Sequence, residues 1–121
     1  MKDLVIGCTT NYDWDKLKYW VNSLNKSGFE GDKVMIAFNI DYETIEKLSQ
    51  AGFQVILPGK DNKQAQRYEY QSSLPVHVER FIHIYNYLND HDDYRFVITT
   101  DVKDVILDRK STRLNSSHVA L

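Results

Sequence analysis

Residues 94–104 of the chain have the sequence YRFVITTDVKD. The continuous apolar run through Val97 and Ile98 predicts a buried strand over residues 94–99, because strands covered on both faces lack a polar alternation. Polar residues follow directly and include Asp101. In an open parallel sheet, ligands bind just beyond the carboxyl ends of the strands. The segment therefore predicts a parallel sheet and marks the edge at which its polar residues lie.

Earlier apolar runs predict further buried strands, and each run ends at polar or turn-forming residues. These strands cover residues 4–8, 34–38 and 53–57. The polar segment 60–73 has neither a helical nor a strand period. We therefore expect an exposed loop there, which includes up to one helical turn.

Helices are predicted between these strands. Asp13 and Asp41 suit the N-caps of the first two helices, and Gly28 and Gly52 suit their C-terminal ends. Pro75 suits the first turn of a third, longer helix. The first helix has an apolar face made by Leu17, Trp20, Val21 and Leu24. The apolar face predicted for the third helix consists of Val78, Phe81, Ile84, Tyr85 and Leu88.

The element order is strand, helix, strand, helix, strand, loop, helix, strand. This alternation indicates an α/β fold with an open, mostly parallel, Rossmann-like sheet. If the first three strands run outward in chain order, the fourth returns to the free side of the first. The strand order then reverses between the first and fourth strands, which is where such sheets bind ligands. We therefore expect the polar loop 9–12 to meet the acidic segment 100–104 at that point.

Asp101 and Asp104 lie close together in sequence, just beyond the predicted fourth strand. Such a pair can share a Mg²⁺ or Mn²⁺ ion, because these cations prefer oxygen ligands and often bind carboxylates together with substrate phosphates. A bridging cation would let an acidic edge hold an anionic diphosphate. The spacing leaves open the alternative that Asp101 caps a turn and Asp104 is solvated.

Residues 94–107, YRFVITTDVKDVIL, resemble the acidic segment of nucleotide-diphospho-sugar glycosyltransferases of the GT-A fold, an apolar strand followed by T-D-V-(K/R)-D-V-(I/V)-F. Residues 78–88, VERFIHIYNYL, are similar to the helix before that segment, and residues 4–13, LVIGCTTNYD, to the first strand and nucleotide-facing loop. The resemblance covers residues 3–107. It implies that residues 1–107 form a truncated nucleotide-sugar-binding domain, the N-terminal part of a GT-A fold.

The resemblance also implies roles for individual residues. Asp101 and Asp104 would match the acidic motif that holds the divalent cation and the donor's diphosphate or ribose. Their D-x-x-D spacing departs from the D-x-D of many GT-A enzymes, which leaves open which carboxylate touches the metal. The nucleoside pocket, including the surface against the base, would be lined by Thr9, Thr10, Asn11 and Tyr12.

Arg80 would match the helix arginine near the donor. It also lies in line with Ile84 and Tyr87 on the third helix, so a buried guanidinium there would need an anionic partner such as Asp101 or a donor phosphate. The alternative is an arginine that extends over the sheet edge to solvent. His83 on the same helix has no evident second metal ligand at suitable spacing, and we assign it no role.

These features predict a metal-assisted glycosyltransferase that moves a sugar from a nucleotide-diphosphate donor to an unknown acceptor, whether glycan, lipid or protein. In GT-A enzymes the acceptor site and any catalytic base follow the acidic motif, so we expect this chain to be inactive alone and name no catalytic residue. One alternative is a non-catalytic nucleotide or sugar-nucleotide binding module of the same fold. Another is a receiver-like signalling domain. Such domains normally have acidic residues after their first strand, and the loop Thr9-Thr10-Asn11 of this chain has none.

Composition narrows the partners and the location. The net charge of -2 does not favour nucleic acid. No apolar run approaches the roughly 20 residues that span a bilayer. The single cysteine, Cys8, cannot form an internal disulfide, and we expect a cytoplasmic protein. Residues 108–121, DRKSTRLNSSHVAL, have no apolar period, and we expect them to be a disordered or non-native tail.

Overall fold

A computed structural model describes residues 2–58, 67–68 and 74–101, and for residues 67, 68, 76, 77, 100 and 101 it describes the backbone only. The elements, in chain order, are β1 (Lys2–Thr10), α1 (Trp14–Lys26), β2 (Asp32–Phe38), β3 (Ile40–Asp41), α2 (Tyr42–Gln50), β4 (Gln54–Ile56), β5 (Arg67–Tyr68), α3 (Val76–Asp90) and β6 (Tyr94–Asp101).

The main sheet has four strands in the order β4-β2-β1-β6, and every neighbouring pair is parallel. The first, second and fourth strands of the chain run outward as β1, β2 and β4, and β6 returns to the free side of β1. The prediction of an α/β fold with an open, Rossmann-like parallel sheet is therefore confirmed. The strand order reverses between β1 and β6, as the sequence predicts.

Helices cover both faces of this sheet. One core packs α1 and α2 against it, with Trp20 and Leu48 facing Val5 on β1. The second core packs α3 against the opposite face, with Ile84 and Tyr87 in the same cluster as the neighbouring strand residues. Both faces of the central strands are therefore buried, which explains their continuous apolar sequence.

The predicted helix caps of α1 and α2 are confirmed. Asp13 accepts a hydrogen bond from the Lys16 backbone N–H at 3.2 Å, and Asp41 accepts one from that of Thr44 at 2.9 Å. Each bond satisfies a backbone donor that has no partner within its helix. Beyond the helix ends, Gly28 has φ 82° and Gly52 has φ 95°, a left-handed conformation that costs glycine little.

The face predicted for α3 is wrong in part. Val78, Phe81 and Tyr85 are exposed, whereas Glu79 is buried with Ile84 and Tyr87. The helix carries apolar side chains on two sides, so the 3.6-residue period alone does not select the side that packs. Contact with the sheet selects the side of Ile84.

Within the predicted loop over residues 60–73 the structure describes Arg67–Tyr68, which form the short strand β5, and the predicted helical turn lies outside the described residues. β5 pairs antiparallel with β3, with Ile40 opposite Tyr68 and Asp41 opposite Arg67. A two-residue strand is too short to show an alternating pattern, and its pairing depends on a distant segment. Residues 102–121, and with them the predicted tail, lie outside the described residues.

The amino-terminal edge of the main sheet contains a hydrogen-bonded network. The Tyr94 hydroxyl donates to the Asp32 carboxylate at 2.7 Å and lies 3.1 Å from the Tyr87 hydroxyl. Burial, together with these two neighbours, raises the pKa of Tyr94 above its ordinary value. At the same edge, Arg95 donates twice to the Asp3 carboxylate, at 3.1 and 2.9 Å. The network joins β1, β2, α3 and β6.

Candidate functional site

The carboxyl-terminal edge of the sheet is the candidate site. In the strand register, Cys8 of β1 lies opposite Asp101, the last residue of β6. On the other side of β1, Thr9 lies opposite Ala37 and Thr10 opposite Phe38. The backbone of Asp101 therefore lies beside the strand end that leads into the polar loop 9–12. The Asp101 side chain and the whole of Asp104 lie outside the described residues.

Asn11 and Asn39 directly follow β1 and β2, and backbone hydrogen bonds join the two strand ends. Asn11 has φ 59° and Asn39 has φ 56°, a left-handed conformation that is unfavourable for most residues and tolerated by asparagine. The Asn11 backbone N–H donates to the carbonyls of Phe38 at 3.2 Å and Asn39 at 3.1 Å. The chain therefore leaves β1 and β2 at the same level of the sheet, where these backbone hydrogen bonds join the two strand ends.

Thr9 and Arg80 each contain a buried polar atom without a hydrogen-bond partner in the described part of the chain. These atoms are Thr9 Oγ1 and Arg80 Nε, and the third such atom is Trp20 Nε1 in the core. Leaving a buried polar group unpaired costs about 1–3 kcal/mol. Thr9 and Arg80 are both among the residues predicted to bind the donor.

These two residues lie on opposite faces of the sheet. Alternation along β1 puts Thr9 on the same face as Val5, which packs under α1 and α2. Arg80 belongs to α3, which covers the other face, and its guanidinium carbon lies 4.9 Å from the centre of the Phe81 ring. A ligand that meets both residues must therefore lie across the top of the strands.

Tyr12 and Thr10 divide between the same two faces. Tyr12 packs against the core under α1 and α2, and the Lys16 amino group lies 5.3 Å from the centre of its ring. Thr10 follows the alternation of Leu4 and Ile6, which places it on the α3 face. The predicted donor-binding residues therefore surround one edge without forming a single cluster.

The structure adds the pairing of Glu79 with His83, a residue to which the sequence analysis assigns no role. Glu79 is only 5% exposed, and its Oε1 atom lies 3.1 Å from His83 Nε2. The His83 ring packs at 5.6 Å from that of Phe38, the last residue of β2. The spacing of four residues between Glu79 and His83 places them on one helix face and was the available signal. In the sequence analysis His83 is considered as a metal ligand and is not paired with Glu79.

The inner side of α3 thus changes character along its length. Its first half presents Glu79, Arg80 and His83, whereas its second half buries Ile84 and Tyr87. A buried carboxylate is costly without a partner, and the His83 imidazole supplies one. The polar half of α3 lies toward Phe38, at the carboxyl-terminal edge.

The described residues can also be examined for metal-ligand groups and for membrane-spanning helices. Within it, no group of three or more histidine, cysteine, aspartate or glutamate side chains could hold a metal ion. No helix among the described residues is long and apolar enough to cross a bilayer. The predicted ligands Asp101 and Asp104 fall outside that metal search, so the cation site stays a prediction.

Comparison with known proteins gives no match to a protein family model or to a curated protein.

Proposed function

We propose that this chain is the donor-binding part of a metal-assisted glycosyltransferase that uses a nucleotide-diphosphate sugar. The observation that carries the proposal is the register of Cys8 with Asp101 at the point where the strand order reverses. This register puts the start of the T-D-V-K-D segment beside the polar loop of β1. Open α/β sheets bind nucleotides at such a point.

The unsatisfied polar atoms support an anionic, hydroxyl-bearing ligand. Arg80 Nε is a cationic donor suited to a diphosphate oxygen, and Thr9 Oγ1 can either donate to or accept from a ribose or base. In this proposal, Thr9, Thr10 and Asn11 line the nucleoside, and Tyr12 lies against the base.

Glu79 and His83 have a different part in the proposal. Their contact, together with the packing of His83 on Phe38, fixes the first turns of α3 over the edge. We assign them the positioning of Arg80, which follows Glu79 directly in the helix. A guanidinium held in place loses less side-chain entropy when it binds a phosphate.

The proposed cation would be held by Asp101 and Asp104. When bound, Mg²⁺ or Mn²⁺ would stabilise the negative charge that develops on the departing nucleoside diphosphate. The carboxylates by themselves would repel that diphosphate. The chain's own contribution is to bind the donor and orient it across the ends of β1 and β6.

A binding measurement on the 121-residue chain tests the proposal. We expect isothermal titration calorimetry with a panel of nucleoside-diphosphate sugars to detect at least one that binds in the presence of Mn²⁺ or Mg²⁺. Chelation with EDTA should weaken that binding at least about tenfold, because the acidic edge then faces the diphosphate without a cation.

The variant Asp101→Asn with Asp104→Asn should lose both the binding and its metal dependence. The matched control is Asp92→Asn with Asp93→Asn, which makes the same charge change at exposed residues before β6. The control should bind as the unaltered chain does. The proposal fails if no nucleoside-diphosphate sugar binds, or if the two double variants behave alike. Release of free sugar from a bound donor would show an enzyme, whereas binding without release fits both an enzyme fragment and a binding module.

A further inference from the structure

Two lysines of α1 hold their ammonium groups over tyrosine rings, in different surroundings. The Lys16 amino group lies 5.3 Å from the centre of the Tyr12 ring. The Lys18 amino group lies 5.3 Å from the centre of the Tyr19 ring, and it also lies 3.6 Å from the Asp15 carboxylate. Lys16 forms no ion pair with any residue that the structure describes. Of the two ammonium groups, the one over Tyr12 therefore has its charge unmatched within the described part of the chain.

Lys16 and Tyr12 lie at the carboxyl-terminal edge of the sheet. Tyr12 belongs to the loop that follows β1 and packs, partly exposed, against the core under α1 and α2. Lys16 is in the first turn of α1, where its backbone N–H donates to the Asp13 carboxylate at 3.2 Å, and its side chain is exposed. The helix thus fixes the Cα atom of Lys16 beside the polar loop and leaves the ammonium group accessible to a ligand.

An ammonium group recognises hydrogen-bond acceptors, because it carries only donors. Uracil and guanine present a carbonyl oxygen where cytosine and adenine present an amino group, which is itself a donor. A base that packs against Tyr12 comes within reach of Lys16, since the flexible stem of lysine lets the ammonium group move while its Cα stays in place. The exposed cation–π contact that it gives up is weak, so the exchange costs little.

We propose that Lys16 selects the base of the nucleotide, and that the ligand carries uracil or guanine rather than cytosine or adenine. This inference rests on the proposed function, because it takes the base to lie against Tyr12. The Tyr12 ring supplies a packing surface that every base can use. Lys16 adds a hydrogen bond to the ring carbonyl, and the difference in affinity between bases comes from that bond.

A ratio of affinities isolates this role. The positive charge of Lys16 also attracts the phosphates of every nucleotide, so its removal weakens binding in general. UDP and CDP carry the same ribose and diphosphate and differ only in the base, and the same holds for the purine nucleotides GDP and ADP except for the further amino group of guanine. The affinity ratio within each pair therefore cancels the effect of charge on the phosphates.

Isothermal titration calorimetry of the 121-residue chain with UDP, CDP, GDP and ADP, each with Mn²⁺, tests the proposal. We expect UDP to bind more tightly than CDP, or GDP more tightly than ADP, by at least about fivefold. The pair that shows the larger ratio identifies the base. Lys16→Met should bring that ratio close to one, because methionine keeps an unbranched stem and loses the donor.

The matched control is Lys18→Met, which removes the same charge from the same helix at the lysine that is paired with Asp15. This control should keep the ratio of the unaltered chain. Far-UV circular dichroism should show that both variants are folded, since neither lysine is buried.

The outcomes separate this inference from the proposed function. Binding of all four nucleotides with equal affinity within each pair would overturn the inference and leave the proposed function standing. A ratio that survives Lys16→Met, or one that Lys18→Met abolishes equally, would also overturn it. If neither these nucleotides nor any nucleoside-diphosphate sugar binds, the proposed function fails and the inference fails with it.

Discussion

At the amino-terminal edge of the sheet, the Tyr94 hydroxyl donates to the Asp32 carboxylate, and Arg95 donates twice to Asp3. At the carboxyl-terminal edge, Thr9 Oγ1 and Arg80 Nε are buried without a partner among the described residues. The same strands and the same helix α3 build both edges. One edge pairs the polar groups that it buries, and the other leaves two of them unpaired.

This difference separates stability from binding. Buried polar groups in folded proteins are nearly always hydrogen-bonded, so the unpaired ones need a specific explanation. A satisfied edge gains its hydrogen bonds when the chain folds, whereas an unpaired group makes no such contribution to folding. Substitutions at the amino-terminal edge should therefore cost folding free energy. If the proposed function holds, substitutions at the carboxyl-terminal edge should cost affinity for the nucleotide sugar.

The largest expected effect on stability is that of Gly31→Ala, at the amino-terminal edge. A Cβ atom at this position would clash with the Asp3 carbonyl oxygen and would lie 2.6 Å from Phe29 Cζ. Since a backbone atom blocks it, β1 and β2 must shift apart, and we expect a loss of about 3 kcal/mol or more in the free energy of unfolding. Urea denaturation followed by circular dichroism measures this loss.

Gly52→Ala is the comparison for that prediction. Its Cβ would meet the flexible end of Lys33 at 2.8 Å, and its φ of 95° adds a backbone cost of about 1–2 kcal/mol. If Gly52→Ala lowers the free energy of unfolding more than Gly31→Ala does, the close approach of the Asp3 carbonyl is not what requires glycine at position 31.

Tyr94→Phe should cost about 1–2 kcal/mol in the free energy of unfolding, because it removes the hydroxyl that bonds Asp32 and Tyr87. The control is Tyr85→Phe, which removes the hydroxyl of an exposed ring and should change stability by less than about 0.5 kcal/mol. Thermal and urea unfolding of both variants give the comparison. Equal losses in the two variants would show that the network does not stabilise the edge.

Alkaline pH should weaken the same edge. The pKa of Tyr94 is raised in the folded chain, so above about pH 10 the unfolded chain releases this proton while the folded chain retains it. The contribution is thus fully present below pH 10, and the free energy of unfolding falls as the pH rises further. Tyr94→Phe should reduce this pH dependence. A variant whose slope between pH 9 and 11 equals that of the unaltered chain would contradict the assignment.

The smallest expected effect on stability is at the other edge. Thr9→Val replaces an unpaired buried hydroxyl by a methyl group, so stability should stay the same or rise by up to about 1 kcal/mol. The contrast is Ser27→Ala, which removes a buried hydroxyl that donates to the Leu24 carbonyl at 2.6 Å and should cost about 1 kcal/mol. Loss of stability in Thr9→Val would reveal a protein partner for the hydroxyl. If the proposed function holds, affinity for the nucleotide sugar should fall several-fold.

Much of the fold could be predicted because its signals are local. The apolar runs that became β1, β2, β4 and β6, and the capping aspartates before α1 and α2, depend on neighbours within a few residues. The candidate edge could be predicted from the strand order. If the last strand pairs in parallel with the first, the carboxyl ends of both strands lie at the same edge of the sheet. The sequence could not predict which polar groups at this edge are buried without a partner. The surroundings of Thr9 Oγ1, for example, are formed by residues far away in sequence.

The sequence by itself determined the alternation of strands and helices, where two of the helices begin, and the acidic segment that ends β6. Tertiary structure alone decided which side of α3 packs, because that helix is apolar both at Ile84 and Tyr87 and at Val78, Phe81 and Tyr85. The sheet accepts only one of these sides, and the side it accepts carries Glu79 and His83 to the edge. A helical period can indicate that a face is apolar, but only the surface it packs against determines whether that face is buried.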